Sequence, residues 1–305
     1  MPAQRIPGMD HPHHPFSALP TRTPLTWPGG ARIAVGVLVE LTSDDTDPLP
    51  GVRPAPLLGG IGGREVNVPR LSHREYGHRV GIFRVLEALK KFDVPVSVSL
   101  DTETATRYPT LMAALAEHDP EYLGAGRSAR DMLSSDMDEA TERSVITTNL
   151  DAIEAATGVR PTGWAGVEYG ESARTPELLA EAGIRYVCDW VNDEQPYAMT
   201  TSAGPLCSLP VTYELDDQNA YLQRQVTIGQ YSEMLREAFS VLYAEGAEHG
   251  RLYLLRIRPW ISGQPFRIGV LEQALAFIAG HDDVFFATPG RMVEAFAEST
   301  ATVSL

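Results

Sequence analysis

From about residue 78 onward, apolar positions recur in two alternating rhythms. Residues 78–92 carry Val80, Phe83, Leu86, Leu89 and Phe92 at helical spacing, and "VPVSVSL" (94–100) follows as a short run of β-branched residues. The same pairing repeats: a helix over 109–118 before a strand at 121–124, a helix over 136–157 before "PTGWAG" (161–166), and a helix over 175–182 before "IRYVCDW" (184–190). Strand "LCSLPVTYEL" (206–215) precedes a helix over 229–245, "RLYLLRIRPW" (251–260) precedes one over 267–280, and "DVFFA" (283–287) precedes a last one over 289–298. Short apolar strands alternating with amphipathic helices predict a parallel sheet covered by helices. Seven or eight such units without a break in composition predict one α/β domain, a distorted (β/α) barrel. An open doubly wound sheet is the alternative.

Before this beat begins, the pattern is different. Residues 1–30 are rich in Pro and His, show no periodicity, and predict an extended arm; "RIAVGVLVEL" (32–41) is the first buried strand. Residues 43–75 carry Gly59-Gly60, Gly62-Gly63 and several prolines, and predict a long loop of the kind that serves a site. The expected division is an arm over 1–30, a barrel over 31–298 and a tail over 299–305.

Composition adds exclusions. The 305 residues are 43% hydrophobic and 21% charged, enough for a full core, and no apolar run approaches a membrane span. The first residues lack a secretory pattern, so the expected location is the cytoplasm. There Cys188 and Cys207, the only two cysteines, would stay reduced. A net charge of −15 argues against nucleic acid and anionic membranes as partners. No dinucleotide or P-loop motif occurs. A small-molecule substrate is what remains.

In parallel barrels the chemistry gathers where strands finish. The strand ends deliver Glu40; Asp101 and Glu103; Gly124-Ala125-Gly126; Trp164 with Glu168-Tyr169; Asp189-Trp190; Glu214 to Asp217; and Arg258-Pro259-Trp260. A rim of carboxylates with one arginine and several aromatics suits a small polar substrate and acid–base chemistry. Taken singly, strand-end carboxylates also cap helices and turns. The eight histidines offer no metal-ligand spacing, so no metal or other cofactor is expected. Ser128 and Ser262 have no evident base, and no nucleophile elbow occurs.

Several stretches carry a resemblance: "TWPGGARIAV" (26–35), "YGHRVGIFRVLEAL" (76–89), "TGVRPTGWAG" (157–166), "TPELLAEAGIRYVCDWVNDEQPY" (175–197), "LYAEGAE" (242–248) and "SGQPFRIGVLEQAL" (262–275). In this order they resemble the polysaccharide-deacetylase (NodB-like) superfamily, and within it the branch of metal-independent allantoinases and cyclic imide hydrolases. The resemblance runs from about residue 20 to 298 and implies a NodB-type distorted barrel and a homo-oligomer. It also implies that the metal-ligand histidines are replaced. The histidine after the third strand is matched by Ala125, a second ligand by Ala129, the histidine of an L-H-P motif by Arg258 in Ile257-Arg258-Pro259, and the aspartate pair after the first strand by Leu38 and Glu40.

The expected activity is metal-free hydrolysis of a C–N bond in a small cyclic amide or imide. Glu40 or Asp189 would act as base, with Asp101 a further candidate. Arg258 would hold the oxyanion, with Asp101, Trp164, Glu168, Trp190, Glu214 and Trp260 shaping the pocket. The alternatives are a repurposed member with a non-hydrolytic activity, a cyclase or isomerase, and a pseudoenzyme that only binds its ligand.

Overall fold

A computed structural model describes residues 10–44 and 68–303. The sheet is built from β1 (Ile33–Leu41), β2 (Ser97–Asp101), β3 (Glu121–Gly126), β4 (Gly163–Trp164), β5 (Tyr186–Val187), β6 (Tyr197–Met199), β7 (Leu206–Ser208), β8 (Arg251–Ile257) and β9 (Val284–Phe286). The helices are α1 (Val68–Tyr76), α2 (Ile82–Lys91), α3 (Thr102–Arg107), α4 (Pro109–Ala116), α5 (Glu139–Thr157), α6 (Thr175–Glu181), α7 (Ile228–Glu245), α8 (Ile268–Ala279) and α9 (Pro289–Val303). The nine strands form one sheet in the order β8-β1-β2-β3-β4-β5-β7-β6, with β9 also beside β1. Every pairing in it is parallel except β6 against β7.

The sheet curls, and its two ends are joined by irregular chain rather than by a strand pair. Thr212 N donates to Leu254 O at 2.9 Å and Leu252 N to Glu194 O at 2.8 Å. This is a distorted (β/α) barrel of the NodB type.

Period-two alternation explains its layers. Val35, Val37, Val39 and Leu41 of β1, with Tyr253, Leu255 and Ile257 of β8, face outward and pack under α2, α7 and α8. Ala34 and Leu38, with Leu252 and Leu254, face inward and join Leu123, Ala165, Cys188 and Leu209 in the barrel interior. Continuing the same inward face toward the C-terminal ends of the strands brings up Glu40, Arg256 and Arg258. All three are buried, so the interior changes from apolar to charged along two strands.

Three differences from the sequence pattern matter for the site. Residues 45–67, most of the expected 43–75 loop, lie outside the described residues, but its last part is helix α1, with Pro69 near its start, where a proline costs no hydrogen bond. Between α1 and α2 the chain takes a π-helical turn, Gly77–Gly81. A Cβ on Gly81 would lie 2.1 Å from Pro259 O, so glycine here lets the turn press against the end of β8. Finally, the expected strand over 206–215 ends at Ser208, and Tyr213–Leu215 is a 3-10 turn.

The arm folds back on the barrel. A small hairpin pairs Asp10–His11 with His14–Pro15, and His13 Nε2 bonds Ala173 O at 3.1 Å. Further on, Trp27 Nε1 donates to Arg251 O at 2.8 Å. No described helix is long and apolar enough to cross a membrane.

Candidate active site

Glu40 sits at the centre of the charged end. Its Oε2 accepts from Arg256 at 2.8 Å and from Arg258 at 3.0 Å, and its Oε1 accepts from the Thr42 hydroxyl at 3.1 Å. Burial alone would raise its pKa, but Arg258, Arg256 and Arg74 overrule it and hold the carboxyl down to about 2. A carboxylate so clamped is a brace between two strands and a weak base.

Arg258 extends the network on one side. Its Nη1 lies 2.7 Å from Asp216 Oδ1 and 3.3 Å from Asp217 Oδ1, and Asp217 Oδ2 accepts from Arg258 N at 2.8 Å and Ser262 Oγ at 2.7 Å. Both aspartates are buried. Glu214, expected at the rim, is 68% exposed and paired with Arg224. The strand that would have aimed it inward has already ended, and the 3-10 turn presents Asp216 and Asp217 instead.

Arg256 extends it on the other side, toward β4 and β5. Its Nη2 donates to Gly166 O at 2.8 Å, and its guanidinium lies 4.5 Å from the Tyr169 ring centroid. Its Nη1 is 3.7 Å from Asp189 Oδ1 and has no hydrogen-bond partner among the described residues. Asp189 is buried, with both oxygens 2.9 Å from Gly166 N. Burial pushes its pKa up to about 6, against the pull of Arg256 and the Gly166 N–H and with a contribution from Glu40. Gly166 is required here, since a Cβ would meet Asp189 Oδ2 at 2.9 Å.

The turn above Arg256 is strained. Glu168 and Tyr169 hold φ of 52° and 59°, a left-handed conformation that costs roughly 1–3 kcal/mol per non-glycine residue. Side-chain ties keep it: Tyr169 OH donates to Asp216 Oδ2 at 2.6 Å, and Glu168 Oε1 accepts from Gln218 Nε2 at 2.6 Å.

The remaining expected residues divide by place. Asp101 caps α3, accepting from Thr104 N at 2.7 Å and Ser43 N at 2.6 Å. Burial nevertheless pushes its pKa up to about 8. Trp164 is wholly buried among Leu133, Val145, Leu150 and Leu179 under α5 and α6, so it forms no wall for a ring. Trp190 and Trp260 are partly exposed. Trp190 meets the rings of His13 and His14 edge-on, and Trp260 carries Arg74 over its face at 5.0 Å. Ser128 and Ser262 are tied to Asp131 and Asp217, with no histidine beside either in these bonds.

No protein-family model matches the chain. A polysaccharide-deacetylase-like protein of Schizosaccharomyces pombe is 24% identical over 243 residues, 73% of this chain and 74% of that protein. The crystal structure of the allantoinase PuuE superposes with a TM-score of 0.80 at 27% identity, covering 90% of this chain and 93% of that one. A polysaccharide-deacetylase-like protein from Pseudomonas aeruginosa PAO1 gives 0.79 at 27%, covering 89% and 93%. The chain has the polysaccharide-deacetylase fold and resembles its allantoinase-containing part. These three relatives carry the names of hydrolases, which supports a hydrolase of this superfamily.

The superfamily implies a divalent metal, and the residues at its place do not fit one. Ala125 and Ala129, at two of the matched ligand positions, are buried methyl groups. The third position is Arg258, whose permanent cation, with that of Arg256, occupies the carboxylate the metal would need. Among the described residues no three His, Cys, Asp or Glu side chains converge as a ligand set. The space beside Gly124 is filled as well: Trp164 Cε3 and Asn149 Oδ1 lie 2.6 and 2.9 Å from where its Cβ would be.

Arg256 is the residue the sequence reading passed over. Its signal was present: in "RLYLLRIRPW" it stands two positions before Arg258, hence on the same inward face.

Proposed function

We propose that the chain is a metal-independent hydrolase that opens a C–N bond in a small cyclic amide or imide, with Asp189 as the base. The observation that carries this reading is the pairing of Asp189, raised to about 6, with the unpartnered Nη1 of Arg256 at 3.7 Å. A carboxylate poised near neutrality can take a proton from water. A guanidinium N–H next to it, buried and without a hydrogen-bond partner among the described residues, can receive the negative charge that develops on the attacked carbonyl oxygen.

Water gives a proton to Asp189 and its oxygen bonds to the ring carbonyl carbon. The carbonyl oxygen becomes an oxyanion held by Arg256. The C–N bond then breaks and its electron pair stays with nitrogen, which takes a proton from its surroundings while Asp189 returns its own to solvent, so that a carboxylic acid, which ionises, and an open-chain amide result. An imide or hydantoin nitrogen departs readily because a second carbonyl shares its electrons. Arg258 keeps Glu40, Asp216 and Asp217 in place rather than meeting the substrate, and the partly exposed Trp190 and Trp260 flank a flat ring.

The test is ring opening of succinimide, hydantoin and allantoin, followed by ultraviolet absorbance with protein dialysed against a chelator. The reading expects turnover of at least one ring at an unchanged rate after dialysis. Silence across the panel from folded protein, or activity only on restoring a metal, would overturn it.

A further inference from the structure

A third group near Asp189, the partly buried Glu171, has a buried oxygen with no hydrogen-bond partner among the described residues. Glu171 Oε2 accepts from Trp190 Nε1 at 3.0 Å, while its Oε1 is buried and has no hydrogen-bond partner among the described residues. The strained turn explains how this residue reaches the site. The left-handed backbone at Glu168 and Tyr169, tied down through Asp216, turns the chain back so that Glu171 lies beside Trp190, the residue after Asp189. Gly170 within the turn could carry no side chain, since its Cβ would lie 2.0 Å from Met132 Cγ.

We infer that Glu171 is the acid of this site, its Oε1–H giving the proton to the ring nitrogen as the C–N bond breaks. The inference rests on the hydrolase reading above and supplies the step that reading leaves to the surroundings. Base and acid are then two carboxyl groups on neighbouring segments, Asp189 after β5 and Glu171 after the turn that follows β4. At the start of the reaction Asp189 is ionised and Glu171 protonated. Water passes a proton to Asp189, Glu171 passes its own to the nitrogen, and the proton on Asp189 moves through solvent to Glu171 for the next cycle.

The surroundings favour this assignment. The charged groups facing Glu171 are carboxylates: Asp189, and Glu142 across from α5. Nη2 of Arg174, three residues on, is taken up by Glu142 at 3.1 Å and by Met137 O at 2.7 Å. His13 and His14 touch Trp190 with their ring edges. Burial, then the charge of Asp189, raise Glu171 well above the usual carboxylate range, against the one opposing hydrogen bond from Trp190.

Glu171→Gln is the informative variant, because its amide oxygen still accepts from Trp190 and only the proton is lost. Two readouts are taken on the full-length protein. At pH 7.5 the wild type should show, beside the protonated-carboxyl contribution of Asp101 that both proteins share, an infrared band of a protonated carboxyl group that is missing from Glu171→Gln. In ring opening, the variant's kcat should fall about 10²–10⁴-fold with KM changed by less than about threefold, and the alkaline limb of the kcat profile should disappear. A role confined to anchoring Trp190 would instead leave kcat and both limbs in place, because the glutamine preserves that bond. A variant as fast as wild type, or a wild type without the band, overturns the inference. Silence of the wild type itself is a different result: it removes the hydrolase reading, and Glu171 as its acid with it.

Discussion

Glu40 and Asp189, on opposite flanks of the charged end, are treated in opposite ways. On the β1–β8 flank, Glu40 shares one oxygen between two guanidinium groups and is driven down to about 2. On the β4–β5 flank, Asp189 faces one guanidinium at 3.7 Å, lies deep in the protein, and is driven up to about 6. Burial acts on both. The number and closeness of the cations decide the sign. A strand-end carboxylate in this fold is therefore a brace where arginines saturate it and a candidate for proton transfer where they do not, and Arg256, which reaches both flanks, is the residue that separates the two roles.

The strongest way to break this comparison is to remove one carboxylate at a time. Asp189→Asn keeps the shape and the contacts to Gly166 but loses the base, and ring opening should slow by roughly 10²–10⁴-fold with little change in thermal stability. Glu40→Gln should do the reverse. It leaves two buried cations without their shared counter-charge and should lower unfolding free energy by about 3–5 kcal/mol in urea titration. An Asp189→Asn protein that is as active as wild type would place the base elsewhere. A Glu40→Gln protein of undiminished stability would remove the brace.

A smaller effect sharpens the contrast through pH. Asp101 and Asp189 hold their protons in the folded state up to about 8 and 6, against 3.8 for an ordinary aspartate. Folding therefore gains from their protonation. That gain is whole below about 4 and is lost as pH rises through each folded pKa, at ~1.4 kcal/mol per unit of separation. Glu40 acts with the opposite sign: its contribution is present above 4.5 and is lost as pH falls toward 2. Asp101→Asn should flatten the decline in stability between pH 5 and 8, measured by denaturant midpoints. A decline of unchanged slope would show that Asp101 is ionised in the fold.

Much of this was legible in the sequence, and the failures have physical reasons. The alternation of apolar strands and amphipathic helices gave the barrel, and Glu40, Asp101, Asp189 and Arg258 were recognisable because each closes a continuous apolar run. Arg256 was hidden inside such a run, where a charged residue looks like an interruption until the inward face is traced through Leu252 and Leu254. Glu214 was misplaced because alternation holds only while the strand lasts, and β7 stops at Ser208. Trp164 looked like a pocket wall, but a two-residue strand turns its ring under α5 and α6. Glu171 had no pattern at all: it depends on two left-handed residues at positions where neither glycine nor asparagine announces them.

The most direct test of the division between the flanks is the pH dependence of kcat/KM for opening of whichever ring the protein accepts, measured from pH 3.5 to 9. If Asp189 is the base, the rate must fall as pH drops through about 6, where its carboxylate gains a proton. If the rate instead stays level down to the acid end of the range, the working carboxylate is one held near 2, Glu40 is the base, and the assignment of the two flanks is reversed.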